Sequence, residues 1–233
     1  MFLFRKIFGL LCHFFFEFFR WIAIFTCWPF QLILFKKKIF YEDKAVQSRR
    51  IRGGALVISN HFSVLDYILT LFVVLPRKLY IVAAEMAFKN RFLRFGMRFF
   101  GGIEANRVTK SMRFVGESAD IIKKGRVVQI FPEGRITHDG TTAYFKQSYL
   151  AIALHSGAPI IPIVLDGTYH ILKRSHVLIG KPIYLSDYCK SQKPSREEMV
   201  ALNDMVYNKV LSLREELEAR KKAMYDKRKG KKK

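Results

Sequence analysis

Along residues 1–35 the polar positions recur at helical steps inside an otherwise apolar run. Lys6, Gly9, His13, Glu17 and Arg20 fall three or four apart, and Phe, Leu and Ile fill the positions between them. On a helix this spacing gathers the polar residues into one narrow stripe. Such a helix is expected to bury most of its circumference in lipid and to keep a thin polar edge among the headgroups. The longest uncharged stretch, Trp21 to Phe35, falls short of the ~20 residues that span a bilayer. No small-x-small cleavage site follows it. Pro29 is expected to break the helix, so that Phe30 to Phe35 returns toward the surface as the second member of an embedded helix pair. Trp21 and Trp28 would be interfacial anchors, and Lys36 to Lys38 would mark a cytoplasmic exit. The alternative is one tilted spanning helix; both put the rest of the chain on the cytoplasmic face of a membrane.

Beyond residue 50 the pattern changes to short apolar runs alternating with amphipathic stretches, which predicts an α/β domain with a mixed sheet flanked by helices. Strands are predicted at Ala55 to Ser59, Leu79 to Ala83, after Gly101-Gly102, at Val127 to Phe131 and at Ile160 to Leu165, with Val177 to Ile183 as an edge strand. Helices are predicted at Leu65 to Leu75, Arg91 to Phe100, Ser111 to Lys124 and Tyr144 to His155. A long last helix starts at a capping box, Ser195 with Glu198. Its apolar face is Met199, Leu202, Val206, Val210, Leu213 and Leu217. The chain therefore divides into a membrane segment over 1–40, a domain over 41–219 and a basic tail over 220–233, expected to be disordered.

Charge sharpens this picture. The formal net charge of the 233 residues is +22, which suits a polyanionic partner. The Phe-rich front favours an anionic phospholipid surface over nucleic acid, and no nucleic-acid motif is present. Arg91, Arg94 and Arg98, on one helical face among Phe residues, read as a membrane-facing patch. The three Cys are far apart, with neither disulfide nor metal-ligand spacing, and no metal site is expected.

The candidate chemistry lies where strands end. Asn60-His61-Phe62-Ser63-Val64-Leu65-Asp66 follows the first strand of the domain, and a helical turn can bring the Asp66 carboxylate back to the His61 imidazole. A His is a suitable general base near neutral pH, and a carboxylate on its other nitrogen fixes tautomer and orientation. Ser63 lacks a nucleophile elbow and reads as a helix-start hydroxyl. His138-Asp139-Gly140 reads as a turn. His155, His170 and His176 read as structural or surface residues. Three more blocks accompany the first: Gly102-Ile103-Glu104-Ala105-Asn106-Arg107, Phe131-Pro132-Glu133-Gly134, and Ala158-Pro159-Ile160-Ile161-Pro162-Ile163.

With these four blocks in this order, residues 50–185 resemble the glycerolipid acyltransferases, typified by 1-acylglycerol-3-phosphate acyltransferase. The resemblance implies transfer of a fatty acyl group from a thioester, acyl-CoA or acyl-carrier protein, to the free hydroxyl of a lysophospholipid, with no further cofactor and no acyl-enzyme. It implies His61 as base and Asp66 as its orienting partner. Arg107 would bind the lysolipid phosphate, helped by Gly134 and Arg135. Glu133 would position the acceptor or hold the site together. Lys146, in a further likeness at Phe145-Lys146, would also serve substrate binding. Asn60 and Pro132 would support the site, and Pro162 would shape the pocket wall. Backbone N–H groups at a helix start are candidate oxyanion donors. The family is also known for an N-terminal helix pair in one leaflet. Two positions depart from its pattern: Arg135-Ile136 stands where Thr then Arg is frequent, and Ser148 where Gly is frequent. The string from Phe131 to Thr137 is more similar to members that reacylate other lysophospholipids, such as 2-acylglycerophosphoethanolamine, which is the alternative acceptor. A non-catalytic lipid-binding protein is disfavoured by the presence of both His61 and Asp66.

Overall fold

A computed structural model describes residues 2–106, 111–137, 140–171, 173–189, 191 and 194–230, with side chains described between 14 and 227. The apolar runs become strands β1 (Lys38–Tyr41), β2 (Ala55–Ile58), β3 (Leu79–Ala84), β4 (Gly102–Ala105), β5 (Val127–Ile130), β6 (Ile160–Leu165) and β7 (His176–Ile179). They form one sheet in the order β1-β7-β6-β2-β5-β3-β4. Every pairing is parallel except β6 with β7. The central strands β2, β5 and β6 are buried along their whole length, which is why they read as unbroken apolar runs rather than alternating ones.

Helices cover both faces. Leu56, Ile58, Val128 and Ile130 point into one core with α4 (Arg113–Lys123), α5 (Ser148–Ser156) and α6 (Arg196–Gly230). Ala55, Val57, Val127 and Ile161 point into the other, against α1 (Phe2–Phe35) and α2 (Leu65–Val74). Helix α3 (Arg91–Phe99) precedes the edge strand β4.

The N-terminal segment differs from the sequence expectation. It is one helix that continues through Pro29, not a helix pair. Docking on both sides of the proline explains this: Ile24 before it, and Gln31 and Phe35 after it, are buried on the same face of the domain. The described part of the polar stripe also turns the other way. Glu17 and Arg20 face the protein, with Glu17 bonded to Lys78 at 2.8 Å and to Arg20 at 2.7 Å. The face left exposed is apolar, including Phe14, Phe18, Phe25 and Phe30.

Two further differences concern the edges. Residues 38–41, for which no strand was expected, form β1, so β7 is covered by β1 and is not an edge strand. Helix α5 starts only at Ser148, because Phe145 packs edge-on against Tyr207 of α6 and the Lys146 N–H bonds to Pro132 O at 2.9 Å. At the C-terminus the capping box forms as read, with Glu198 N donating to Ser195 Oγ and Ser195 N to the Glu198 carboxylate. Helix α6 then runs on to Gly230, past residue 220 where a disordered tail was expected. Its early tail is held on the domain: Arg220 donates to Tyr41 O at 2.9 Å, Lys221 pairs with Asp166 at 3.3 Å, and Tyr225 meets the His176 ring edge-on.

Phe35 is fully buried and Phe25 is 69% exposed on the same helix. Phe35→Ala should therefore cost about 3–5 kcal/mol in denaturant unfolding of the full chain in detergent. Phe25→Ala should leave the unfolding midpoint unchanged. Equal losses would contradict the docking of α1 through a single face.

Candidate active site

Two of the four motif blocks, Asn60–Asp66 and Phe131–Gly134, meet at the C-terminal ends of β2 and β5, where open α/β sheets place their sites. Asn60 makes the exit from β2 rigid. Its side chain donates to Leu165 O at 2.8 Å and accepts from Leu165 N at 2.9 Å, continuing the β2–β6 ladder through an amide. The next residue, His61, thus leaves the sheet in a fixed direction.

The Asp66 carboxylate is completely buried in the first turn of α2. Its Oδ2 meets His61 Nδ1 at 2.9 Å and accepts from Phe62 N at 2.7 Å and Ser63 N at 2.8 Å. Its Oδ1 accepts from the Tyr169 hydroxyl. An ionised carboxylate only accepts, so Nδ1 carries the proton and Nε2 keeps its lone pair. The His61 side chain is 17% exposed, which leaves the ring within reach of solvent or substrate. Its flat face rests on Phe131, with ring centroids 3.9 Å apart. An imidazole fixed in tautomer, tilt and height is the result. The same bonds occupy the Phe62 and Ser63 N–H groups, so these two are not open to an oxyanion.

Glu133 forms a second buried node. It accepts from His61 N at 2.9 Å, from Ala143 N at 2.9 Å and from Thr137 Oγ1 at 3.3 Å. Burial pushes its carboxyl above the ordinary glutamate range, against the pull of these donors. Thr137 N and Oγ1 also bond to His61 O. Glu133 thus ties the strand end of β5 to the backbone of the base, which supports a holding role over direct substrate contact. Pro132 is buried in the same turn, and its carbonyl receives Lys146 N. Gly134 has φ +66°, and a Cβ there would lie 3.0 Å from the Lys146 side chain, so the turn favours glycine. Arg135 and Lys146 are exposed beside this turn.

Pro162 stands apart from the base. It pairs with Ile58 inside β6, and its carbonyl receives Gly180 N at 2.9 Å. Arg107 and the His138-Asp139 pair lie outside the described residues. Ser63 Oγ accepts from Leu65 N at 3.2 Å, as a helix-start hydroxyl does. Among the described residues no three His, Cys, Asp or Glu side chains gather as a metal site.

Sequence reasoning missed Tyr169 and the strap that carries it. The strap follows β6: Asp166 accepts from His176 N at 3.1 Å and meets His176 Nδ1 at 2.8 Å, closing it at the base. Burial raises the Asp166 pKa, but the bonds from His176 and Thr168 and the Lys221 charge outweigh it and hold the carboxyl below the ordinary range. Gly167 has φ +67°, and a Cβ there would come within 2.7 Å of the Phe62 ring, so the strap is pressed directly on the catalytic turn. Burial and the nearby Asp66 charge push the Tyr169 hydroxyl far above the ordinary phenol range, so it remains a donor. No local spacing links Tyr169 to Asp66, 103 positions earlier. The one available signal was its place just after a central strand.

A histidine held by a carboxylate at the C-terminal ends of the strands of a parallel-rich α/β sheet is suited to taking a proton from a bound nucleophile. The acyltransferase family model matches residues 38–166, more than half the chain. This protein belongs to the acyltransferase family, and the matched region runs from β1 to the start of the strap. A 1-acyl-sn-glycerol-3-phosphate acyltransferase of Bacillus subtilis is 21% identical over 171 residues, 71% of this chain and 84% of that protein. The enzyme of that name from Borreliella burgdorferi is 22% identical over 174 residues, 70% of this chain and 68% of its own. A chloroplastic one from Brassica napus reaches 37% identity over 75 residues, 28% of this chain and 22% of that protein. The solved structure of the 1-acyl-sn-glycerophosphate acyltransferase PlsC from Thermotoga maritima shares the fold, with a TM-score of 0.55 and 22% identity over 80% of this chain and 73% of that one.

Tyr169→Phe removes one donor from Asp66 and leaves the ring in place. We expect kcat to fall by roughly tenfold with KM for the acyl donor unchanged, as when an interaction made only in the transition state is lost. A change confined to KM would show that Tyr169 serves binding and not the base.

Proposed function

We propose that the protein transfers a fatty acyl group from an acyl thioester to the free hydroxyl of 1-acylglycerol-3-phosphate, giving phosphatidic acid, while seated in one leaflet of a membrane. The observation that carries this reading is the His61–Asp66 pair, with Nδ1 bound to the carboxylate and Nε2 available at the mouth of the site. His61 Nε2 takes the proton as the acceptor oxygen attacks the thioester carbonyl. The tetrahedral intermediate collapses, the C–S bond breaks, and the leaving thiolate takes the proton back from the imidazolium. Acyl-CoA or acyl-carrier protein is the donor, and no residue is acylated. The choice of acceptor draws on the names of the relatives. Arg135 and Lys146, exposed beside the Glu133 turn, are suited to a phosphate, and Arg107 joins them by its place in the motif.

Helix α1 supplies the membrane contact. Its apolar stretch Phe14–Phe35 has 22 residues, about 33 Å of helix, long enough to cross a bilayer by length and composition. Both of its ends are fixed to the domain, Glu17 to Lys78 and Phe35 O to Ser175 N. A helix held alongside a charged domain over its length cannot cross the bilayer without taking that domain in. This favours a monotopic helix embedded by its exposed face, with the basic domain on the cytoplasmic side.

The test is acyl transfer by the full chain with a panel of lysophospholipids and both donor types. We expect the highest kcat/KM with 1-acylglycerol-3-phosphate and a loss of about 100- to 10,000-fold in His61→Ala. A preference for 2-acylglycerophosphoethanolamine would move the acceptor assignment. Near-normal turnover by His61→Ala would remove the mechanism.

A further inference from the structure

At the opposite edge of the sheet from His61 the cations of four separate elements converge. Lys78 immediately precedes β3, Arg126 immediately precedes β5, Arg98 lies in the last turn of α3, and Lys124 caps α4. All four line one cavity of about 560 Å³. One carboxylate shares it: Glu17 of α1, already bonded to Lys78. Arg126 donates to the Tyr80 hydroxyl at 2.9 Å. Arg98 and Lys124 have no carboxylate partner among the described residues. The cavity therefore carries four cations against one carboxylate, although Arg98 and Lys124 also border a neighbouring cavity that Glu104, Glu117 and Asp120 line. It is also remote from the chemistry, since Arg126 and the His61-stacked Phe131 lie at opposite ends of β5, about 16 Å apart along the strand.

The walls point to the source of the anion. Phe16, Phe95 and Phe99 also line the cavity. Phe99 links the two helices, 5.7 Å from Phe16 of α1 and 6.3 Å from Phe95 in the next turn of α3. Helix α3 buries none of its nine residues in the protein, and Phe92 is 88% exposed. An amphipathic helix with only Gly96, Met97 and Phe99 half-buried, and with Phe92, Leu93 and Phe95 exposed, leaves most of its apolar side chains for another apolar phase. That face is continuous, through the Phe16–Phe99 contact, with the exposed apolar face of α1.

We infer that this cavity is a second lipid site, separate from the catalytic one, which receives the phosphate headgroup of an anionic membrane phospholipid while α3 lies on the leaflet surface. The cations take the phosphate and the Phe rings meet the acyl region. This clamps the far edge of the domain to the membrane that α1 enters. The inference rests on the reading of α1 as embedded in one leaflet.

The test is partition of the full chain, diluted from detergent into preformed vesicles. Phosphatidylcholine vesicles are compared with vesicles that also contain phosphatidylglycerol. Wild type should enter both, with a preference for the anionic ones. The double variant Arg98→Gln with Lys124→Gln should enter neutral vesicles like wild type but lose about tenfold or more of the anionic preference, in line with two cations removed from the surface. Arg50→Gln with Arg52→Gln removes the same charge from two exposed sites outside the cavity and should keep the preference. Glycerol 3-phosphate, added at constant ionic strength, should not abolish it. Equal losses in both double variants, or none in the first, would overturn the site. Competition by glycerol 3-phosphate would assign it to a free phosphate ester instead of a lipid. Failure of wild type to enter neutral vesicles would instead overturn the embedding of α1.

Discussion

The structure is organised around one buried carboxylate. Asp66 has no contact with water and accepts hydrogen bonds from the His61 ring, two backbone N–H groups and a tyrosine hydroxyl. A buried charge is tolerated only when its acceptor capacity is filled. Each donor that fills it is thereby fixed: the imidazole in tautomer, the Phe62–Ser63 turn in direction, and the strap after β6 in height. The N-terminal end of α2 adds a favourable partial charge. The base is set by the requirement to satisfy its partner.

That requirement reaches the periphery of the molecule. Tyr169 is held between Asp66 and the Phe35 ring at the end of α1, whose centroid is 5.8 Å away. The base of the strap is closed by Asp166 and His176, and Lys221 of α6 completes that cluster. Phe40 of β1 stacks on the His176 ring. The N-terminal helix, the first strand and the C-terminal helix all converge on the segment that presents Tyr169. Helix α1 is thus part of the wall behind the site, and Glu17 and Arg20 on it turn inward while its exposed face is apolar.

Much of this was legible in the sequence because it is local. Strands buried on both faces announce themselves as unbroken apolar runs, and β6 spans the expected residues. The His61–Asp66 pair lies within one strand-to-helix turn, and the order of four motifs carried the family. What was not legible depends on partners distant in sequence. The side to which Glu17 and Arg20 turn is decided by Lys78, about 60 residues later. The short run at residues 38–41 becomes a strand only because β7 lies beside it. Tyr169 has no local mark. Pro29 misled the reading because docking on both sides outweighs one lost backbone bond.

The central claim is that Asp66 fixes His61 with its proton on Nδ1 and its lone pair on Nε2. The most direct test is nitrogen NMR of the full chain in micelles with ¹⁵N-labelled histidine, assigned by comparison with His61→Gln. At a pH where His61 is neutral, its Nδ1 should appear protonated and its Nε2 bare, and Asp66→Asn should abolish that preference. A neutral His61 with the proton on Nε2 in the wild type would contradict the account.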